Sequence, residues 1–93
     1  MKEAVLDGRS FDDEEQLHKL LKGLLALPDY YGNNLDALWD LLTGWVEMPL
    51  TLTWTHYAES ERKLGDYSAR LRELFEEAER DTNGFRFILS ETS

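Results

Sequence analysis

Three strand-like segments in this chain are separated by stretches far too long for hairpins, and that spacing fixes most of what the chain can become. Ala4, Val5 and Leu6, inside Glu3 to Asp7, form a short buried-strand pattern that stops at Asp7-Gly8. Leu50, Leu52 and Trp54 alternate with Thr51 and Thr53, giving a second strand with two unlike faces, the thicker one for the core. The third runs from Phe85 to Ser90 after an Asn83-Gly84 turn, with Phe85, Phe87 and Leu89 on one side. Strands joined by such long connections pair in parallel. Right-handed crossovers then predict an α/β fold: a small three-stranded parallel sheet packed with about four helices in two layers. At 93 residues the chain has room for one domain, spanning 1–93, and one compact core, which three Trp, four Tyr and four Phe supply.

The connections read as helices. Asp12 with Glu15 three residues later is a capping-box arrangement, and Leu17, Leu20, Leu21 and Leu24 follow at amphipathic spacing with Lys19 and Lys22 outside. A loop from Ala26 to Asn33 holds Pro28, Gly32 and two aromatics that read as exposed, Tyr30 and Tyr31. Beyond the second strand, Thr55 can cap a short helix over 56–64 closed by Gly65. Asp66 or Ser68 can start another, with Leu71, Leu74, Phe75 and Ala78 as its apolar stripe. Glu73, Glu76 and Arg80 look outward there, and Glu77 sits at the stripe's shoulder. Glu91 to Ser93 are expected to fray.

The central helix, Leu35 to Thr43, organises the stretch from 26 to 54. Asn33 or Asn34 can cap it, Asp36 falls in the first turn where the helix dipole favours a carboxylate, Gly44 can close it in the left-handed conformation, and Pro49 bars continuation. At about 100° per residue, Leu35, Leu38, Leu41 and Leu42 share one side, with Trp45 in line. Asp36, Asp40 and Thr43 share the other, with Trp39 at the margin. Two carboxylates one turn apart cost an isolated helix roughly 0.2–0.5 kcal/mol. Folding gives no reason to keep Asp40, so the pair beside Trp39 points to function; for Asp36 alone, good first-turn helix chemistry suffices.

Charge says what that function faces. Nineteen acidic against ten basic residues leave a formal net charge of −9, and no Lys or Arg lies between Lys22 and Arg62. Nucleic acid and anionic membranes repel such a surface; basic proteins attract it. There is no cysteine, hence no disulfide or thiolate chemistry. With no apolar leader and no run near the roughly 20 apolar residues of a membrane span, the chain is expected to be soluble and cytoplasmic. Phosphate-loop, zinc-helix, calcium-loop and nucleophile-elbow motifs are missing, and His18 and His56 read as surface or packing residues. No catalytic residue, metal or cofactor is expected. Asp36 and Asp40 as an acid–base pair would need a buried carboxyl and a cleft, which a convex helix face does not offer.

The segments Ala26-Leu27-Pro28, Tyr30-Tyr31-Gly32, Asn34 to Asp40, Leu42 to Glu47 and Pro49-Leu50 together resemble the barstar family of intracellular ribonuclease inhibitors. The likeness extends through the first strand and helix and through Phe75, Glu77 and Ala78 to Ile88-Leu89-Ser90; 55–70 match poorly. The resemblance implies an inhibitor that places its acidic helix and preceding loop in the active site of an extracellular or toxin ribonuclease, of the barnase or a related guanyl-specific type, as a 1:1 heterodimer. By that likeness Asp40 takes the place of an RNA phosphate, pairing with the enzyme's catalytic histidine and arginines, and Asp36 meets a basic residue near the guanine site. Tyr30 would lie on the catalytic histidine. Asn34, Leu35, Trp39, Thr43, Gly44, Trp45 and Glu47 would line the contact, with Glu77 adding a peripheral ion pair. Core packing stays open for Trp39 and Trp45, and plain solvation for Glu77. The family's cysteine positions hold Leu41 and Asn83, and Asn33 replaces an acidic residue. A cis Met48-Pro49 peptide is also implied, with Met48 in place of an aromatic. A different reading is an acidic binding module for another basic protein or a non-nuclease toxin.

Overall fold

The structure, a computed structural model, describes residues 2–90; the expected fraying at Glu91 to Ser93 lies outside the described residues. In chain order the elements are β1 (Lys2–Asp7), α1 (Glu14–Leu24), α2 (Leu35–Gly44), β2 (Leu50–Thr55), α3 (Tyr57–Leu64), α4 (Asp66–Asp81) and β3 (Phe85–Leu89). The strands form one parallel sheet in the order β1-β2-β3. Each crossover carries two helices, as the long connections require.

Register places Ala4, Leu52 and Phe87 in one row and Leu6, Trp54 and Leu89 in the next, all on the helix-covered face. Val5, Thr53 and Ile88 form the row between, on the opposite face, where Val5 and Ile88 are exposed. Leu6, Leu52 and Trp54 are fully buried against Leu17 and Leu21 of α1, Leu38 and Leu42 of α2, and Leu71 and Phe75 of α4. The Trp54 indole N–H donates to Ser60 Oγ at 3.0 Å, so the largest core side chain leaves no buried donor unpaired. On edge strand β3, the Phe87 N–H donates to the Glu79 carboxylate at 2.8 Å, which occupies a group that could otherwise recruit another strand.

Two helix starts differ from expectation. The α1 cap is Asp13, one residue later: its carboxylate accepts the Gln16 N–H at 2.8 Å, and the Gln16 side chain accepts from the Asp12 N–H at 2.9 Å. Burial of Phe11 just upstream fixes where the chain enters the helix. Thr55 does not cap α3, because it is the last paired residue of β2, opposite Asp7. His56 makes the turn in the left-handed region, with φ of 54°. Gly65, at φ of 60°, ends α3 as expected, and α4 starts at Asp66 with Ser68 one turn inside.

Candidate functional site

The site is built from the 25–34 loop and α2. Leu25 ends α1 by donating its N–H to Leu21 O at 2.9 Å, and Ala26, at φ of 53°, turns the chain back across the helix end. The loop is then nailed down from inside. Tyr31, expected to be exposed, is buried, and its hydroxyl lies 2.5 Å from His18 Nδ1; His18 Nε2 lies 2.6 Å from the Tyr67 hydroxyl. One imidazole thus ties α1, the loop and the first turn of α4, which explains why a His occupies an otherwise apolar helix face. A pattern that treats adjacent tyrosines alike misses this, because neighbouring side chains in a loop commonly point opposite ways. With Tyr31 held inward, Tyr30 is left outward, 73% exposed, with its ring edge-on to Trp45 at 6.4 Å between centroids.

The His18 cluster gives stability a pH dependence. Burial lowers the His18 pKa below its ordinary 6.5, so the folded state refuses a proton that the unfolded chain accepts. The contribution is fully present above pH 6.5 and is lost as pH falls, by up to about 1.4 kcal/mol per pH unit until the folded-state pKa is reached. Denaturant unfolding between pH 7 and 5 should show this slope in the native chain. A His18→Gln variant, less stable at pH 7, should show a flatter profile over the same range.

Asn34 is the N-cap of α2. Its Oδ1 accepts the Ala37 N–H at 2.8 Å and its Nδ2 donates to Gly32 O at 3.3 Å. Asn33 takes the left-handed turn before it, at φ of 56°. Replacing Asn34 by Ala should cost about 1 kcal/mol, read from the denaturation midpoint. At the other end, Gly44 is not left-handed but the last helical residue. The N–H groups of both Trp45 and Val46 donate to Leu41 O, at 2.7 and 2.8 Å, and Trp45 closes the helix in right-handed conformation. The Met48-Pro49 peptide beyond it is cis.

This helix sorts its faces sharply. Leu38, Leu41 and Leu42 are buried and Leu35 half-buried, while Asp36 and Asp40 are exposed. Neither aspartate has an ion-pair partner among the described residues. Thr43 donates its hydroxyl to Trp39 O at 2.7 Å. Trp39 is half-buried, packed on the core's margin. Trp45, in line with the leucines by sequence, is not buried with them: it is 53% exposed. Glu47 is exposed, 3.7 Å from Lys2 Nζ, a pair worth about 0–1 kcal/mol.

Because α2 packs against α4, Glu77 comes into the neighbourhood. A hollow of about 290 Å³ runs between the two helices, bordered by Asp36 and Trp39 on one side and by Arg70, Glu73 and Glu77 on the other. Arg70 and Glu73 were not among the expected site residues. Arg70, Glu73 and Glu77 follow one another at helical intervals of three and four, which the sequence shows, but only the packing of α4 on α2 turns that side toward the acidic face. Among the described residues there is no cluster of three or more metal-ligating side chains, and no helix long and apolar enough to cross a membrane.

A sequence model of the Barstar family, described as "Barstar (barnase inhibitor)", matches residues 1–90. The chain belongs to the barstar family. It is also 48% identical over 90 residues to a Bacillus subtilis (strain 168) protein described as "Putative ribonuclease inhibitor YrdF", covering 96% of this chain and 99% of that one. The barstar match includes residues 55–70, which resemble the family least by eye and where α3 and the start of α4 lie in the second crossover. The central acidic helix and its loop therefore sit in a barstar scaffold from first strand to last.

Proposed function

We propose that this barstar-family chain is a cytoplasmic inhibitor, acting as a single domain, that blocks a small basic guanyl-specific ribonuclease of barnase-like type one to one and without chemistry. The observation that carries the reading is the pair Asp36 and Asp40, one turn apart, exposed, and without an ion-pair partner among the described residues. A ribonuclease must hold phosphates in a positive cleft, so a rigid helix presenting carboxylates competes with RNA and offers no bond to cleave. Asp40 takes the phosphate site against the catalytic histidine and arginines, and Asp36 meets the cation beside the guanine site.

The surroundings supply shape. Tyr30, braced by Trp45, covers the catalytic histidine, while Asn34, Leu35, Trp39, Thr43, Gly44 and Glu47 form the rest of the contact and Glu77 an outlying ion pair. Aromatic side chains with few rotatable bonds suit such a role, because little entropy is lost on docking. The net charge of −9, without a Lys or Arg from 23 to 61, speeds encounter with a basic enzyme.

Titrating the protein into a panel of small microbial ribonucleases while following RNA cleavage tests the reading. Activity of at least one guanyl-specific enzyme should fall linearly to an end point at one equivalent. A panel left fully active, together with recovery of a basic non-nuclease on the immobilised protein, would replace it with the reading of a general acidic binding module.

A further inference from the structure

The acidic face has one basic neighbour, and it is unspent. Arg70 borders both hollows beside the start of α2, the one shared with Trp39 and Glu77 and a second of about 220 Å³ next to Asn34, and is the only basic residue lining either among the described residues. Asp36 borders both as well, and Glu73 and Glu77 border the first, yet Arg70 forms no ion pair among the described residues. Its guanidinium carbon instead lies 5.8 Å from the Tyr67 ring centroid. That ring is itself fixed, through its hydroxyl, to the buried His18. The cation therefore rests against an aromatic ring, and among the described residues its paired N–H donors have no ion-pair partner.

An unpaired cation at this spot works against the rest of the surface. Each positive charge that an acidic inhibitor carries at its docking edge weakens the long-range attraction of a basic enzyme, and pushes away the cations that Asp36 and Asp40 are placed to meet. Such a charge is tolerable at the contact only where the partner offers it an anion.

We propose that Arg70 is a specificity-determining residue that receives a carboxylate of the target enzyme, and that this carboxylate is the group with which the enzyme reads guanine. The inference rests on the guanyl-specific reading above. Guanine presents two parallel donors, its ring N–H and its 2-amino group, and a carboxylate is the acceptor that matches both. A guanidinium offers the same parallel pair, in the same plane, to the same two oxygens. Base and phosphate of one nucleotide lie side by side in a nuclease cleft, as Arg70 and Asp36 lie side by side here. The helix stands in for the phosphates and Arg70 for the base.

Association and dissociation rates of Arg70→Gln and Arg70→Lys with an inhibited guanyl-specific ribonuclease, with Asp40→Ala measured alongside, test the assignment. Arg70 is exposed, so the variants should fold, which unfolding midpoints near that of the native chain verify. Arg70→Gln should associate as fast as the native chain or faster, but dissociate faster still, raising Kd about tenfold or more. Arg70→Lys should recover only part of that loss, because it restores the charge without the paired donors. Replacing the enzyme's guanine-reading carboxylate by the amide should erase the difference between native and Arg70→Gln. A Kd for Arg70→Gln equal to or below the native value, or a difference that persists against the amide enzyme, overturns the assignment while a weakened Asp40→Ala leaves phosphate mimicry standing. If Asp40→Ala also binds undiminished, both fall together.

Discussion

Asp40→Ala should weaken binding to the target ribonuclease by about 2–5 kcal/mol, roughly 30- to 5,000-fold in Kd, and should do so without harming the fold. The loss combines the missing contact with the penalty of leaving the enzyme's own cations facing an empty site. Stability should move the other way. Asp40 is exposed, has no ion-pair partner among the described residues, and lies one turn from Asp36, so its removal relieves a repulsion of roughly 0.2–0.5 kcal/mol and installs a better helix former. A variant that is at least as stable yet fails to inhibit separates a functional charge from a solvated one. Inhibition equal to that of the native chain would return Asp40 to the class of ordinary surface residues. Urea denaturation and a cleavage titration on the same sample supply both numbers.

Trp54→Ala should have the largest effect on stability, a loss of about 3–5 kcal/mol. Trp54 is fully buried in the central strand, edge-on to Tyr57 at 5.0 Å and to Phe75 at 6.1 Å between centroids, and so joins the sheet to α3 and α4 at once. Its indole N–H also satisfies Ser60, which is itself fully buried. Truncation opens a cavity and strips Ser60 of its donor, against a total stability of about 5–15 kcal/mol for a domain of this size. Trp54→Phe keeps most of the volume and loses chiefly the hydrogen bond, so a smaller decrement is expected from it. The difference between the two variants, read from denaturation midpoints, apportions packing against polar satisfaction. Neither substitution touches the exposed face of α2, so the folded fraction should inhibit normally.

Much of this architecture was legible because strand and helix periodicities survive in the residues themselves. Leu50, Leu52 and Trp54 alternate, Leu71, Leu74, Phe75 and Ala78 repeat at helical spacing, and both patterns fold as they read, down to the buried face of each. The outward placement of Asp36 and Asp40 followed from the same rotation about the helix axis. What escaped depended on contacts between distant residues. Tyr31 could not be told from Tyr30 without knowing that His18 waits 13 residues earlier and Tyr67 completes the triad from α4. Nor could Gly44 be denied its left-handed turn without knowing that the Val46 N–H reaches back to Leu41. Capping failed by one residue at Asp12 and Asp13 because several acidic residues compete there and burial of Phe11 decides between them. Arg70 was hidden for the same reason: its place beside Asp36 arises from the packing of α4 against α2, which no local pattern encodes.

Phosphate mimicry requires that the inhibitor and a nucleotide want the same place on the enzyme, and a competition experiment asks this directly. The apparent Kd of the protein for its ribonuclease is measured at increasing concentrations of guanosine 3′-monophosphate. A linear rise without plateau, with a slope set by the nucleotide's own affinity, is expected if Asp36 and Asp40 occupy the phosphate sites. An affinity that does not change when the enzyme is saturated with nucleotide, with both bound at once, would contradict it.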